Sequence, residues 1–488
     1  MPRSSVTKDG KLPSYRHLTP RGNNKAGRKK PPKPVSEDEE SDDSTVEDTS
    51  NVDQGNLSPL LEEPTVTLPE EVLKTLYKTP GVLMIAGMVS WDLTARRDNN
   101  PSKRSHPNLY TFHKLTDRRY RFIASHCSAG HSVLVSEEGE AYTFGRNNCG
   151  QLGFGDNTTR NVPELVPALA GMNIIHAAVG RHHSLFVTDT GTVYACGDNK
   201  CGQCGLGNTT PQILKPTRVR YVGAPILKVG CGAEFSMILD CNGCLHSFGL
   251  PEYGQLGHNT DGKYFVTSTK LSFHFETVPK HIAHFFEKSK DGHVTPVKDV
   301  EIVDFSCGNN HTVAIDSRKR AYSWGFGGFG RLGHAEQKDE SVPRLIKYFD
   351  TQARGVRSVH CGATFSLAVN ELGALFMFGQ TKRTGEANMY PKPVQDLSGW
   401  NIRSVGTSNT SIVIVADDSL VAWGVSPTYG ELGTGEINKS TARPKEVSRM
   451  DGLSITQVTM GFSHTLLLCD NSTEEVKAKL ASLPTFTP

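Results

Sequence analysis

Residues 307–333 read CGNNHTVAIDSRKRAYSWGFGGFGRLG. Within this stretch, Gly325-x-Gly327-x-x-Gly330 matches the glycine fingerprint of a dinucleotide-binding loop. That fingerprint has meaning only between a strand and a helix of a βαβ unit. "AYSWG" reads as a strand, but "RLGHAEQKDESVP" has no apolar 3.6-residue period and runs into Pro343. A helix is not expected there, so the glycines need another explanation.

The explanation is repetition, the first thing to seek in a long chain. The same phrase occurs as "CSAGHSVLVSEEGEAYTFGRNNCGQLG" from Cys127 and "VGRHHSLFVTDTGTVYACGDNKCGQCG" from Val179. It recurs as "CGAEFSMILDCNGCLHSFGLPEYGQLG" from Cys231, then at Cys307, and more weakly as "CGATFSLAVNELGALFMFG" from Cys361. "TSNTSIVIVADDSLVAWGVSPTYGELG" from Thr407 is the sixth copy, and "MGFSHTLLLCD" from Met460 is half of a seventh. Each copy reads as an apolar strand, a hairpin turn, a second strand and a glycine turn G-x-x-x-x-G-[QR]-L-G. Glycine suits such turns because it reaches φ > 0. Gly327 then fills a variable slot held elsewhere by Asn147, Asn199 or Pro251.

A single small sheet cannot bury both of its faces, whereas units stacked radially bury one another and a closed ring removes exposed edges. The missing half of the seventh unit is supplied by "PGVLMIAGMVSWDL", Pro80 to Leu93. The expected fold is therefore all-β, a seven-bladed β-propeller closed by pairing of N- and C-terminal strands. The expected organisation is a disordered tail over 1–68, a linker or short helix over 69–79, the propeller over 80–470, and a short helix and tail over 471–488. An insertion of roughly two dozen residues falls within about 258–300 of the third unit, and its alternating "KYFVTSTKLSFHFE" predicts extra strands projecting from the ring. "STEEVKAKLASLP" from Ser472 carries a Ser-x-x-Glu capping box.

The paired signatures G-x-x-H-[ST] and G-Q-L-G at this spacing resemble the repeat of the regulator of chromosome condensation family. The resemblance covers about Pro80 to Asp470, and the phrases "PEYGQLGHNTDGK" and "SWGFGGFGRLGHAEQKDE" are similar to one branch of that family. It implies a seven-bladed propeller that engages small GTPases of the Ras superfamily, including the Rac type. It also implies work in mitosis and cell-cycle progression, at chromosomes, the centromere and the spindle midzone. A nuclear protein is implied, including nucleolus, with some cytoplasmic presence. Chromatin, centromere or microtubule-associated proteins are the further partners implied. The family's founding member opens the GTPase Ran with a β-wedge; the sequence leaves open whether the third-unit insertion is its counterpart. Three functions follow: an interaction propeller, a true guanine-nucleotide exchange factor, or a nucleic-acid binder acting through its tail.

The composition of the 488-residue chain fits this picture. Mean hydropathy is −0.38, no apolar run is long enough for a membrane helix, and the N-terminus lacks the apolar core of a secretory signal. Eleven scattered cysteines read as reduced thiols. The formal charge of +2 conceals a segregated tail. "RGNNKAGRKKPPKP" carries Arg28, Lys29, Lys30 and Lys33, a nuclear import signal, a nucleic-acid patch or a solvated arm. The acidic "SEDEESDDSTVEDTS" follows, where Ser36, Ser44 and Thr45 each have an acid at +3 and are candidates for phosphorylation.

Other candidates are weaker. His131, His183, His311 and His464 recur at one repeat position, but Phe235, Phe365 and Thr410 are read at the same slot, which favours packing over metal. Cys201-x-x-Cys204 and Cys241-x-x-Cys244 imitate zinc spacing, yet Cys204 stands in an apolar slot. No metal, cofactor or covalent catalytic group is expected: Gly-x-Ser-x-Gly, Walker and His-Glu-x-x-His patterns are all missing from the sequence. The most informative departure is unit five, where "GQTKRTGEANMYPKP" replaces the glycine turn. It offers Lys382, Arg383, Thr384, Glu386 and Asn388 as a polar loop, read either as a partner site or as a degenerate turn. The propeller itself is expected to be monomeric.

Overall fold

The computed structural model describes residues 66–94, 104–351, 354–381, 386–425, 428–437 and 441–488. Unit two shows how each repeat folds. Its strands Ile174–Val179, His183–Thr188, Val193–Asp198 and Gln212–Arg218 pair antiparallel in order. His183–Thr188 is buried at every position, whereas Gln212–Arg218 is mostly exposed or half-buried. A strand sandwiched between two neighbouring sheets has no wet face, which explains the unbroken apolar run. The hairpin turn is made by Gly191 at φ 75° in unit two, and by Lys319 at φ 65° in unit four. Gly197, next to the end of the third strand, has φ 114°, and a Cβ there would lie 2.3 Å from the His182 carbonyl oxygen. The fold thus requires glycine at that position.

The architecture is all-β, but seven separate blades are not what forms. Units two to six make five separate sheets. Unit three comprises Ile226–Cys231, Phe235–Asp240, Leu245–Gly249 and Glu276–His281; unit four has Ile302–Cys307, His311–Asp316, Ala321–Gly325 and Glu340–Leu345. Unit five has Val356–Cys361, Phe365–Asn370, Leu375–Gly379 and Asn388–Pro393, and unit six Ile402–Thr407, Ser411–Ala416, Ser419–Gly424 and Thr441–Glu446. The remaining units join into one seven-stranded sheet. The cause is the strand Leu109–Ala124, 16 residues long. It pairs with Gly81–Gly87 on one side and with His131–Ser136 on the other, so hydrogen bonding runs unbroken from one unit into the next.

That sheet also contains the closure. Val82 pairs with Cys469, Leu83 with Leu468 and Gly87 with His464, and Gly81–Gly87 is buried throughout. Residues nearly four hundred positions apart become neighbours. Hydrophobic clusters lie between successive units; Val133, Ala177 and Phe186 share one, and Val313, Val359 and Ala368 another. Each fully buried aliphatic or Phe side chain contributes about 1.5–3 kcal/mol, so the junctions hold the ring.

Two helices pack on it. In Glu70–Leu76, Leu73 and Leu76 pack with Tyr77 against units two and three, and buried Leu68 donates its backbone N–H to Asp189 O at 2.7 Å. In Glu474–Ser482, Val476 and Leu480 join the cluster containing Met450 and Leu453. The cap of this second helix is Thr473, whose hydroxyl accepts from Val476 N, and not Ser472 as the capping-box spacing suggested.

The third-unit insertion is in fact two insertions separated by the regular strand Glu276–His281. The first is a hairpin, Lys263–Phe265 with Leu271–Phe273, which forms a sheet of its own. The second, Phe285–Lys288 with Val294–Val297, does not project. It docks on the outer strand of unit four through Phe286 and Arg344, with Lys347–Glu287 (2.7 Å) and Lys288–Glu336 (3.2 Å) ion pairs.

Candidate protein-interaction face

One end of the repeat sheets carries the loops of the histidine slot and, in all full units but unit five, the glycine turns. There the recurrent histidines join neighbouring units. His131 Nε2 meets Ser184 Oγ, His183 meets Ser236, His311 meets Ser366 and His464 meets Ser132, each at 2.9 Å. Ser184, Ser236 and Ser366 donate their own protons to the carbonyls of Gln151 (2.8 Å), Gln203 (2.7 Å) and Arg331 (2.9 Å). In these three clasps the hydroxyl must therefore accept from an imidazole N–H, which fixes the tautomer. The "H-[ST]" and "GQLG" signatures are two halves of one clasp between units. All four rings are fully buried, and burial holds His183 and His464 down at about 3. These are neutral structural groups.

The slots without histidine use other means. In unit three Phe235 fills the place, and Trp324 Nε1 donates to the Gln255 carbonyl at 2.9 Å. In unit six the slot belongs to Ser411 and not to Thr410, because Ser411 faces Gly424 as His131 faces Gly145. Ser411 donates to the buried carboxylate of Glu431 at 2.9 Å, and Tyr429 N donates to its other oxygen at 3.1 Å. Burial pushes the Glu431 carboxyl up to about 7.

On this clasped frame, units four and five differ from the rest. Arg331 takes the glutamine slot and is buried, donating to Gly328 O at 3.0 Å and Ala363 O at 2.9 Å. Its guanidinium lies 4.5 Å from the Phe326 ring centroid and 5.6 Å from that of Phe329. Phe326 also meets Tyr253, with ring centroids 4.8 Å apart. Phe329 has φ 61°, rare for a bulky side chain, and is 39% exposed. A strained, outward aromatic braced by a buried arginine is a ready anchor for a partner.

The unit-five loop adjoins this anchor. Ala335 N donates to Met389 O at 2.8 Å, and a Cβ on Gly330 would lie 2.7 Å from Met389 Cα. Glu386 is exposed, and Asn388 opens its strand opposite Gly379. Lys382, Arg383 and Thr384 lie outside the described residues, as do Arg28, Lys29, Lys30, Lys33, Ser36, Ser44 and Thr45. Phe326, Phe329 and Arg331 escaped the sequence reading; an arginine in the glutamine slot, preceded by two phenylalanines in the same turn, was the signal available.

The paired cysteine motifs separate. Cys201 and Cys204 lie in the glycine turn of unit two, with Cys204 fully buried, whereas Cys241 is exposed in the hairpin turn at the opposite end of unit three.

Comparison with known proteins agrees with this frame. The model of the RCC1-like domain matches residues 126–467. Protein RCC2 of Homo sapiens is 46% identical over 442 residues, covering 89% of this chain and 84% of the relative. The chain belongs to the RCC1-like family, as an RCC2-like member. The RCC2 homolog of Xenopus laevis is 44% identical and covers 100% of this chain and 99% of the relative. Among solved structures, yeast RCC1 (Prp20) bound to Kap60 superposes with TM-score 0.66 at 18% identity, covering 89% of this chain and 99% of that one. Human WBSCR16 gives 0.63 at 18% identity, covering 80% and 100%.

Proposed function

We propose that this chain is an interaction propeller that binds small Ras-superfamily GTPases, of the Rac type, and regulates mitosis and cell-cycle progression. The observation that carries the reading is the exposed Phe329, braced by Arg331, in a turn whose Gly330 and Ala335 lie against Met389 of unit five. Aromatic and arginine anchors within a polar rim are what tight protein interfaces use. Prp20p, which shares the fold, has been studied for its binding to Gsp1p and histones, and that supports a GTPase as the partner class. The basic run at Arg28 to Lys33 would direct the protein to the nucleus and chromosomes.

The test is fluorescent-nucleotide release from purified GTPases, alongside calorimetric binding. Binding without faster release supports the interaction propeller; accelerated release identifies an exchange factor. Lys382→Ala with Arg383→Ala should weaken binding by about 1–3 kcal/mol if both are central contacts, with a stability change under about 0.5 kcal/mol. Intact binding in that double variant and in Phe329→Ser would remove this face from the proposal.

A further inference from the structure

The hairpin Lys263–Phe265 and Leu271–Phe273 is hydrogen-bonded only to itself as a sheet. At its base His274 N donates to Gly262 O at 2.8 Å, and the Tyr264 and His274 rings stack with centroids 4.2 Å apart. Its turn is closed by Val266 N to Lys270 O at 2.9 Å and by Lys270 N to the Thr267 hydroxyl at 3.1 Å. Beyond that base its apolar side chains are left in water. Phe265 is 71% exposed, Val266 53%, Leu271 42% and Tyr264 38%.

Successive strand residues point to opposite faces. Phe265 and its cross-strand partner Leu271 share one face, while Tyr264 and Val266 take the other. Apolar surface is therefore offered on both sides of a thin ribbon. A protein groove covers one face of such a ribbon, whereas the interfacial zone of a bilayer surrounds it. The polar groups fit the same medium: the exposed ammonium groups of Lys263 and Lys270 flank the apolar tip, and Thr267, Ser268 and Thr269 form its turn. Of these two lysines, Lys263 alone has a carboxylate within reach among the described residues, Asp261 at 3.4 Å, and both side chains of that pair are well exposed. Lysines at headgroup level beside aromatic and aliphatic groups at the acyl boundary is the pattern of interfacial binding.

We propose that this hairpin is a membrane-docking finger that inserts Phe265, Val266 and Leu271 into the surface of an anionic bilayer, with Lys263 and Lys270 against the lipid phosphates. It binds on the membrane and does not span it; among the described residues no helix is long and apolar enough to cross. The proposal is independent of the GTPase reading.

The test is made on the full chain carrying Phe265→Trp, mixed with vesicles of phosphatidylcholine alone or with added phosphatidylserine. The parent chain, which has four tryptophans, supplies the background. The added indole should shift to the blue and be quenched by brominated acyl chains on the anionic vesicles, and not on the neutral ones. The quenching should persist when Arg28, Lys29 and Lys30 are alanine, because the basic tail can hold the protein on vesicles by charge alone. Phe265→Ser with Val266→Ser should reduce vesicle binding several-fold in that tail-substituted chain while leaving the thermal melt in place. A vesicle-bound protein whose added indole stays unquenched would overturn the proposal.

Discussion

Four junctions between units are closed by an imidazole and a hydroxyl at 2.9 Å. The junctions that follow units three and five fill the same slot with Phe235 and Phe365; after unit six, Ser411 and Glu431 of that unit fill it, and Thr465 of the next strand pair donates to the Glu431 carbonyl. The difference separates what the ring requires from what it merely uses. It requires the slot to be filled and the turn carbonyl to find a donor. A Trp324 indole satisfies the Gln255 carbonyl as Ser184 satisfies that of Gln151. The histidine is one solution among several, which is why a set of four equivalent imidazoles is a structural device here and not a metal site.

The largest effect should come from breaking the closure that both kinds of junction presuppose. Truncation to residue 66 should leave the thermal melt nearly unchanged. Truncation to residue 91 removes Gly81–Gly87, opens the seven-stranded sheet and exposes an unpaired edge. A sharply lowered or non-cooperative melt is expected. Equal melting of the two chains would refute closure by the N-terminal strand. The cut falls before Leu68 because that residue is packed against unit two.

Next come the clasps themselves. His183→Ala should cost about 2–4 kcal/mol, combining a cavity with a lost buried hydrogen bond. His183→Phe should cost much less, about 1 kcal/mol, since Ser236 keeps its bond to the Gln203 carbonyl and units three and five already hold phenylalanine there. Urea unfolding of both variants decides it. Equal losses would mean that the imidazole, not the filled slot, holds the junction.

The two kinds of junction should also respond oppositely to pH. A histidine held at about 3 when folded, against an ordinary 6.5, binds its proton only in the unfolded chain between those values. Its stabilising contribution is therefore complete above 6.5 and is lost as pH falls toward 3, by about 1.4 kcal/mol per pH unit for each ring. Glu431, pushed up to about 7 from an ordinary 4.5, behaves in the reverse sense. Its contribution is complete below 4.5 and is lost as pH rises through 7. Unfolding free energies across pH 4 to 8 should show His183→Phe flattening the acid limb and Glu431→Gln removing the loss toward pH 8.

The smallest effect concerns the strained anchor. Phe329→Gly relieves a φ of 61° and removes a side chain that is 39% exposed. Stability should change by less than about 1 kcal/mol in either direction, while GTPase binding falls. A large stability loss would show that Phe329 serves the fold and not the face.

Much of this molecule was legible along the chain. The repeated "H-[ST]" and glycine-turn phrases, the alternation of apolar strands with G and N turns, and the half copies at Pro80 and Met460 follow from local steric and burial rules. Those rules act within a dozen residues, so one sequence displays them. They also disposed of the false dinucleotide fingerprint, since no helix pattern follows Gly330. What they could not display is anything set between units. The pairing of His183 with Ser236, the bond from Arg331 to the Ala363 carbonyl, and the adjacency of Gly330 to Met389 depend on how neighbouring sheets are stacked. The 16-residue strand that merges two units, and the docking of Phe285–Lys288 on unit four while its companion hairpin stands free, likewise depend on edges brought together from distant positions. Local pattern determines which strands exist, because backbone geometry and apolar periodicity are properties of consecutive residues. Which strand edges meet, and which side chains are then left in water, is decided only when the ring closes and each unit finds its neighbour.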